Sequence, residues 1–109
     1  MDSIFYLHTM IIYNVTVKVE QSIHNAWIDW LIQEHIPEVM ETGYFSDNKV
    51  YKILVEDETD GISYSIQYFT DEMSKYFDYI SKCAPALRKK GLDKWGDKFV
   101  SFRTVLREV

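Results

Sequence analysis

Two adjacent side chains, Glu34 and His35, are the candidates for acid–base chemistry in this sequence. They lie in the stretch WIDWLIQEHIPEVM (27–40), which begins with apolar residues at helical spacing. A carboxylate held against indole rings has its charged form disfavoured, and a base that titrates near neutrality suits proton abstraction. Adjacent helical residues point about 100° apart, so both cannot face one substrate atom. We favour His35, because the ordinary pKa of imidazole already suits the task.

The proline at position 37 allows two interpretations of this helix. In the simpler one the helix bends before Pro37, Ile36, Val39 and Met40 take over the packing, and Glu34 reaches solvent. In the other, the bend opens a ligand pocket between the helix and a sheet. The aromatic residues predicted to line that pocket are Tyr13, Tyr64 and Tyr68 on its floor and Trp27 and Trp30 on its wall.

Other kinds of reactive site are disfavoured by spacing. His8, His24 and His35 are scattered and form no ligand pair with a cysteine or carboxylate. Cys83 lies on an apolar helical stripe, where a thiol behaves as a small hydrophobic group. The four glycines are spread along the chain and form no phosphate-binding loop. We therefore expect no metal site and no bound cofactor.

Length and charge limit the class of protein. A chain of 109 residues is long enough for one domain with a single core, and its net charge of -5 argues against a general nucleic-acid binder. Tyr13 and Tyr64 are predicted on the helix-facing side of the sheet, whereas aromatic residues that stack on RNA need the open side. No apolar run reaches membrane length, and residues 1–9 lack a basic leader and a small-residue cleavage site. We expect a cytoplasmic protein whose single domain covers residues 10–109, with 1–9 as an extension outside it.

Hydrophobic periodicity predicts the order strand-helix-strand-strand-helix-strand. The predicted strands cover residues 11–19, about 48–56, 62–69 and about 98–107. The first helix is capped by Ser22 and ends near Gly43, and the second is kinked by Pro85 and stopped by Gly91. The buried stripe of the second helix is predicted to be Met73, Tyr76, Phe77, Ile80, Cys83, Ala84 and Leu87.

This order predicts an α+β, ferredoxin-like βαββαβ sandwich with both helices on one face of a four-stranded antiparallel sheet. Right-handed crossovers are expected to place the first and third strands side by side and parallel. The other sheet face would then be bare and would mix polar and apolar residues, so packing against a second copy would cover it. We expect a homodimer whose interface includes Ile12, Asn14, Gln67, Phe69, Phe99, Arg103 and Val105. On that face Arg103 is expected to pair with an acid across the interface or with an anionic ligand.

From Met10 to its C-terminus the chain resembles a family of small bacterial proteins classed as a domain of unknown function. The resemblance rests on MIIYNVTVKV (10–19), WIDWLIQEHIPEVMETGYF (27–45), GISYSIQYF (61–69) and APALRKKGLDKWGDKFVSFRTVL (84–106). It implies membership of the dimeric α/β-barrel proteins, in which two ferredoxin-like sheets pack face to face. That superfamily includes cofactor-independent monooxygenases, haem-degrading enzymes and muconolactone isomerases, often with a ligand between sheet and helices. The resemblance assigns no catalytic residue.

Three functions follow from these observations. The first is a homodimer that binds an apolar or aromatic small molecule between its sheet and helices. The second is a cofactor-independent oxygenase or isomerase with His35 or Glu34 as the base. The third is an assembly module whose aromatic residues only fill the core. Open space between helix and sheet favours the first two functions, and a filled space favours the third.

Overall fold

The computed structural model describes residues 10–55 and 57–109, so the predicted extension 1–9 lies outside the described residues. The elements are β1 (Ile11–Val19), α1 (His24–Trp30), α2 (Ile36–Glu41), β2 (Asp47–Lys52), β3 (Ile62–Thr70), α3 (Met73–Lys82), α4 (Ala84–Trp95) and β4 (Phe99–Arg107). A 3-10 turn at Gln21–Ile23 precedes α1, and a π-helical turn at Leu31–His35 joins α1 to α2. The predicted order of strands and helical segments is confirmed. Within the described ranges, no helix is both long and apolar enough to cross a membrane.

The four strands form one antiparallel sheet in the order β2-β3-β1-β4. The prediction that the first and third strands run parallel is wrong, because β1 pairs with β3 in antiparallel register. Each helical crossover joins two parallel strands, β1 to β2 and β3 to β4, while the direct connection from β2 to β3 reverses the chain. The third strand therefore returns antiparallel beside the first. This is the ferredoxin-like arrangement predicted from the element order.

The pairing of β4 with β1 fixes which side chains of β4 face the helices. Phe99, Arg103 and Val105 pair with Val19, Val15 and Tyr13, so they share the helix-facing side with these core residues. Their assignment to the bare face is therefore wrong. The bare face, called the open face below, carries instead Val100, Phe102, Thr104 and Leu106 from β4, with Ile12, Asn14, Gln67 and Phe69 on it as predicted.

The hydrophobic core lies between the sheet and the helices. Val17 and Val19 of β1 are buried against Trp27 and Leu31, as their spacing predicts.

The buried stripe predicted for the second helix needs correction. Tyr79 is buried beside the core, whereas Phe77 is 59% exposed. The helix is interrupted at Cys83, between α3 and α4, so the two segments do not share one straight buried stripe.

Two predicted helix boundaries also differ. Ser22 lies within the 3-10 turn and makes no capping hydrogen bond to α1. Gly91 does not stop the second helix but is buried within α4, which ends at Gly96 with a positive φ of 62°. A β-carbon at Gly91 would lie 3.5 Å from the indole of Trp30. This glycine therefore marks the close approach of two helices and not a helix end.

Candidate functional site

The turn before Pro37 explains why the buried face of the first helical region changes. The N–H of Ile36 bonds to the carbonyl of Leu31, five residues earlier, which is the hydrogen bond of a π-helical turn. Pro37 has no N–H to offer the carbonyl of Gln33, so the regular α-helical ladder is interrupted here. The wide turn adds one residue between two buried side chains, Leu31 and Ile36. Val39 continues the new stripe, as the simpler interpretation of the sequence predicts.

A cavity of about 220 Å³ lies between the sheet and the helices, next to this turn. Its wall is mainly apolar and aromatic, with a few polar groups from α4 and β4. The lining residues that the sequence analysis singled out, for this or another role, are Tyr13, Trp27, Trp30, His35, Tyr68, Leu87, Phe99 and Arg103.

One predicted pocket residue, Tyr64, does not line the cavity. Its hydroxyl is 2.6 Å from Nε2 of His24, and the two rings stack with centroids 5.7 Å apart. The Tyr64 ring also lies against Trp27, at a centroid distance of 5.7 Å. Tyr64 therefore fills the space behind Trp27 instead of contributing to the cavity surface.

The two candidate acid–base residues face different environments. His35 lines the cavity and stacks on Trp30, with ring centroids 4.8 Å apart. Glu34 is exposed and borders a separate shallow groove with Gln33 and Lys94. Neighbouring positions in a helical turn cannot point to one centre, and here only the imidazole reaches the cavity.

The surroundings of His35 favour the neutral form of its imidazole. Burial lowers the pKa of His35; the Glu38 carboxylate opposes this shift, and the positive charges of Arg103 and Lys90 add to it. Nδ1 of His35 is buried and has no hydrogen-bond partner among the described residues. Because Nδ1 is buried, a molecule in the cavity would meet the other ring nitrogen, Nε2, which can accept a proton or a hydrogen bond when it carries no hydrogen.

Two arginines meet at one hydroxyl in the cavity wall, an arrangement that the sequence analysis missed. The Tyr13 hydroxyl accepts hydrogen bonds from Nη2 of Arg88 at 3.2 Å and from Nε of Arg103 at 3.0 Å. The sequence analysis put Arg103 on the other face of the sheet and did not single out Arg88. Arg88 lies four residues after Ala84 and three before Gly91, both buried in α4, and this spacing is the signal that could have placed Arg88 on the inward side.

Two further tyrosines of the site remain protonated near neutral pH. Burial, reinforced by neighbouring tyrosines, raises the pKa of Tyr68 and of Tyr79. Both line the cavity, so both contribute neutral hydroxyl groups that can donate hydrogen bonds. Over residues 10–55 and 57–109, no group of three or more His, Cys, Asp or Glu side chains is arranged to hold a metal ion.

Solved structures similar to this chain have the same fold at low sequence identity. A dimeric ferredoxin-like protein from an uncultured marine organism is 9% identical, with a TM-score of 0.72 over 93% of this chain and 96% of that one. Hydroxynitrile lyase from Passiflora edulis is 17% identical, with a TM-score of 0.63 over 94% and 97%. A variant of SnoaB, a cofactor-independent oxygenase from Streptomyces nogalater, is 10% identical, with a TM-score of 0.62 over 90% and 91%. The likeness shows the fold, and the differing activities show that this fold does not fix a reaction.

The sequence comparison identifies the family. No curated protein matches the chain significantly. The family model described as a domain of unknown function, DUF4286, matches residues 10–109. This is consistent with the resemblance drawn from the sequence motifs and with the ferredoxin-like neighbours. The chain belongs to the DUF4286 family.

Proposed function

We propose that this protein is a homodimer that binds a small apolar or aromatic molecule in the cavity between its sheet and helices. The observation that carries the proposal is the cavity itself, about 220 Å³ in volume and lined by Trp27, Trp30 and Tyr68. Small-molecule sites are mostly concave, apolar and aromatic, with a few polar groups that fix orientation. A wall of this kind with His35 and two arginines in it fits that description.

The dimer is supported by the composition of the open face. Val100 and Phe102 are each 64% exposed there, and Leu106 is 43% exposed. A polar row crosses the same face, in which Asn14 bonds Thr104 at 3.2 Å and accepts a hydrogen bond from Ser65 at 2.7 Å. Apolar groups on both sides of a polar row suit a self-complementary interface. The similar protein described as dimeric and ferredoxin-like supports the same assembly.

The dimer is tested by one pair of substitutions on the same strand. Phe102→Glu places a charge on the open face, whereas Val105→Glu places it on the opposite side of β4, where Val105 is 39% exposed. We expect wild type and Val105→Glu to have the dimer mass by light scattering and Phe102→Glu to have the monomer mass. A monomeric wild type, or dissociation by Val105→Glu alone, would contradict the proposed interface.

Ligand binding is tested by native mass spectrometry of gently purified protein, compared with its denatured mass. We expect a dimer with additional mass that is lost on denaturation. Gly91→Leu is expected to remove that mass, because a β-carbon at Gly91 points toward Trp30 in the cavity wall. Intrinsic tryptophan fluorescence gives a second readout, since Trp27 and Trp30 line the cavity. An additional mass that Gly91→Leu retains would place the ligand elsewhere.

A second candidate function is a cofactor-independent oxygenase or isomerase that uses His35 as its base. The specific observation in its favour is the position of the His35 imidazole in the cavity wall, together with the lowering of its pKa by burial. Glu34, the other predicted base, borders a different groove and is the weaker candidate. Once a ligand is identified, His35→Gln should abolish turnover and leave binding within about threefold, a change below about 0.7 kcal/mol.

An assembly module without a ligand is the remaining alternative. It predicts a dimer with no additional mass, in which Gly91→Leu changes only the stability of the protein.

We also propose the cytoplasm as the site of action. That proposal depends on the single cysteine, Cys83, which has no partner for an internal disulfide.

A further inference from the structure

Two positively charged side chains share a single neutral acceptor at one end of the cavity. Arg88 comes from α4 and Arg103 from β4, and both donate to the Tyr13 hydroxyl, at 3.2 and 3.0 Å. A hydroxyl oxygen has two lone pairs, so these two bonds use its acceptor capacity. Most of the remaining guanidinium N–H groups have no acceptor in this cluster, and Nε of Arg88 is buried without a partner.

No described carboxylate neutralises this pair of charges. The ion pairs recorded between described residues are made by lysines, such as Lys90 with Glu38 and Lys52 with Glu58. Arg88 is half-buried and Arg103 is exposed, so the cost of leaving these charges unpaired falls mainly on Arg88, and an anion between the two guanidinium groups removes it. The planar guanidinium fork matches the two oxygens of a carboxylate in particular.

The rest of the cavity limits what can be attached to that anion. Apart from the arginine end, its wall includes Trp27, Leu31, Leu87 and Phe99. An apolar protein cavity of about 150 Å³ can bind benzene. The volume of about 220 Å³ found here therefore accommodates one aromatic ring with a short acidic substituent.

We infer that the cavity selects a small aromatic carboxylate, whose acidic group binds Arg88 and Arg103 beside the Tyr13 hydroxyl and whose ring lies among the apolar residues. The inference rests on the proposed function, because it requires the cavity to bind a ligand. It adds the chemical class of that ligand and the two residues that recognise it.

The test compares two probes that differ in charge and little in shape. Binding of 4-fluorobenzoate and 4-fluorobenzamide to the full chain is measured by ¹⁹F NMR titration near neutral pH. We expect the acid to bind at least about tenfold more tightly than the amide, since charge-assisted hydrogen bonds are stronger than neutral ones. This comparison uses the unmodified protein, so it does not depend on whether any variant folds.

Three arginine variants assign the effect to the site. Arg88→Gln and Arg103→Gln are each expected to reduce the affinity for the acid about tenfold or more and to leave the affinity for the amide within about twofold. Arg107→Gln is the matched control, because Arg107 is an exposed residue at the end of the same strand, β4, and does not line the cavity. It should leave both affinities unchanged.

The outcomes separate this inference from the proposed function. Equal binding of acid and amide, both lost in Gly91→Leu, would overturn the inference and leave the cavity as a ligand site. Absence of binding by both probes up to their solubility limits would overturn the inference, and additional mass in native mass spectrometry would still support the proposed function. Acid binding that survives in Arg88→Gln and Arg103→Gln, or that depends on Arg107, would also overturn the inference.

Discussion

Replacing Gly91 by alanine should stabilise the protein and weaken ligand binding at the same time. Gly91 lies within the 12-residue helix α4. Its φ is not positive, so the backbone conformation at this position suits any residue. Glycine inside a helix is about 1 kcal/mol less favourable than alanine. The added β-carbon would meet only Trp30, at 3.5 Å, which is an ordinary contact.

The expected gain in the free energy of unfolding is therefore about 1 kcal/mol, with a smaller addition from the buried methyl group. For a domain near this size, that corresponds to an increase in Tm of about 4 to 8 °C. The same methyl group enters the cavity wall between α4 and Trp30, so affinity for a cavity ligand should fall. Gly91→Leu should reduce it further.

The assay combines urea denaturation with ¹⁹F NMR titration of a fluorinated aromatic probe. Ala86→Gly is the matched control, because Ala86 is exposed on the same helix and does not line the cavity. Because Ala86 is in the first turn of the helix, this change should lower stability by less than about 1 kcal/mol and leave affinity unchanged. The double variant Gly91→Ala/Ala86→Gly should be less stable than Gly91→Ala and keep the weakened binding. A destabilised Gly91→Ala would refute the helical packing described here, and unchanged affinity in Gly91→Leu would refute the cavity as the binding site.

Three further changes test the site and the fold. Tyr13→Phe keeps the buried ring but removes the hydroxyl that accepts hydrogen bonds from both arginines. We expect the free energy of unfolding, measured by urea denaturation, to fall by about 1 to 3 kcal/mol, and a fall below about 0.5 kcal/mol would count against the cluster. Burial lowers the pKa of His35 in the folded state below 6.5, so the unfolded chain takes up a proton first as the pH falls. The free energy of unfolding is therefore expected to decrease from about pH 6.5 down to the folded-state pKa. His35→Gln should flatten this part of the stability profile, and an unchanged slope below about pH 6.5 would contradict the burial of the imidazole. Gly61→Ala should lower the Tm of the protein more than Gly43→Ala. Both glycines have positive φ, but only at Gly61 would the added β-carbon meet the Val19 carbonyl oxygen, at 2.5 Å. Equal Tm values for the two variants would contradict that close approach.

The strands of this protein could be predicted from the sequence because their alternation is strict. Ile11, Tyr13, Val17 and Val19 are buried on one side of β1, as the period of two requires. The element order then predicted the ferredoxin-like fold. The direction of β1 relative to β3 followed from the same connectivity but was predicted wrongly, since the reversal between β2 and β3 was not carried through.

The orientation of β4 could not be predicted in the same way. One alternating set, Val100, Phe102, Thr104 and Leu106, is more apolar than the other, in which Phe99 and Val105 alternate with Ser101, Arg103 and Arg107. Apolar character therefore favours the first set as the inward one, yet the structure places it on the open face. Only its pairing with β1 shows that Arg103 faces the helices, where it meets Tyr13.

The candidate site depends on tertiary structure for the same reason. The sequence by itself determined the helical proline, the aromatic residues near it and the choice of His35 as the candidate base, because these depend on local chemistry and spacing. Tertiary structure decided that the π-helical turn points His35 into the cavity and Glu34 away from it. It also brought Arg88 and Arg103, separate in the chain, to one hydroxyl. Contacts between distant segments depend on strand register and helix rotation, which no local pattern in the chain encodes.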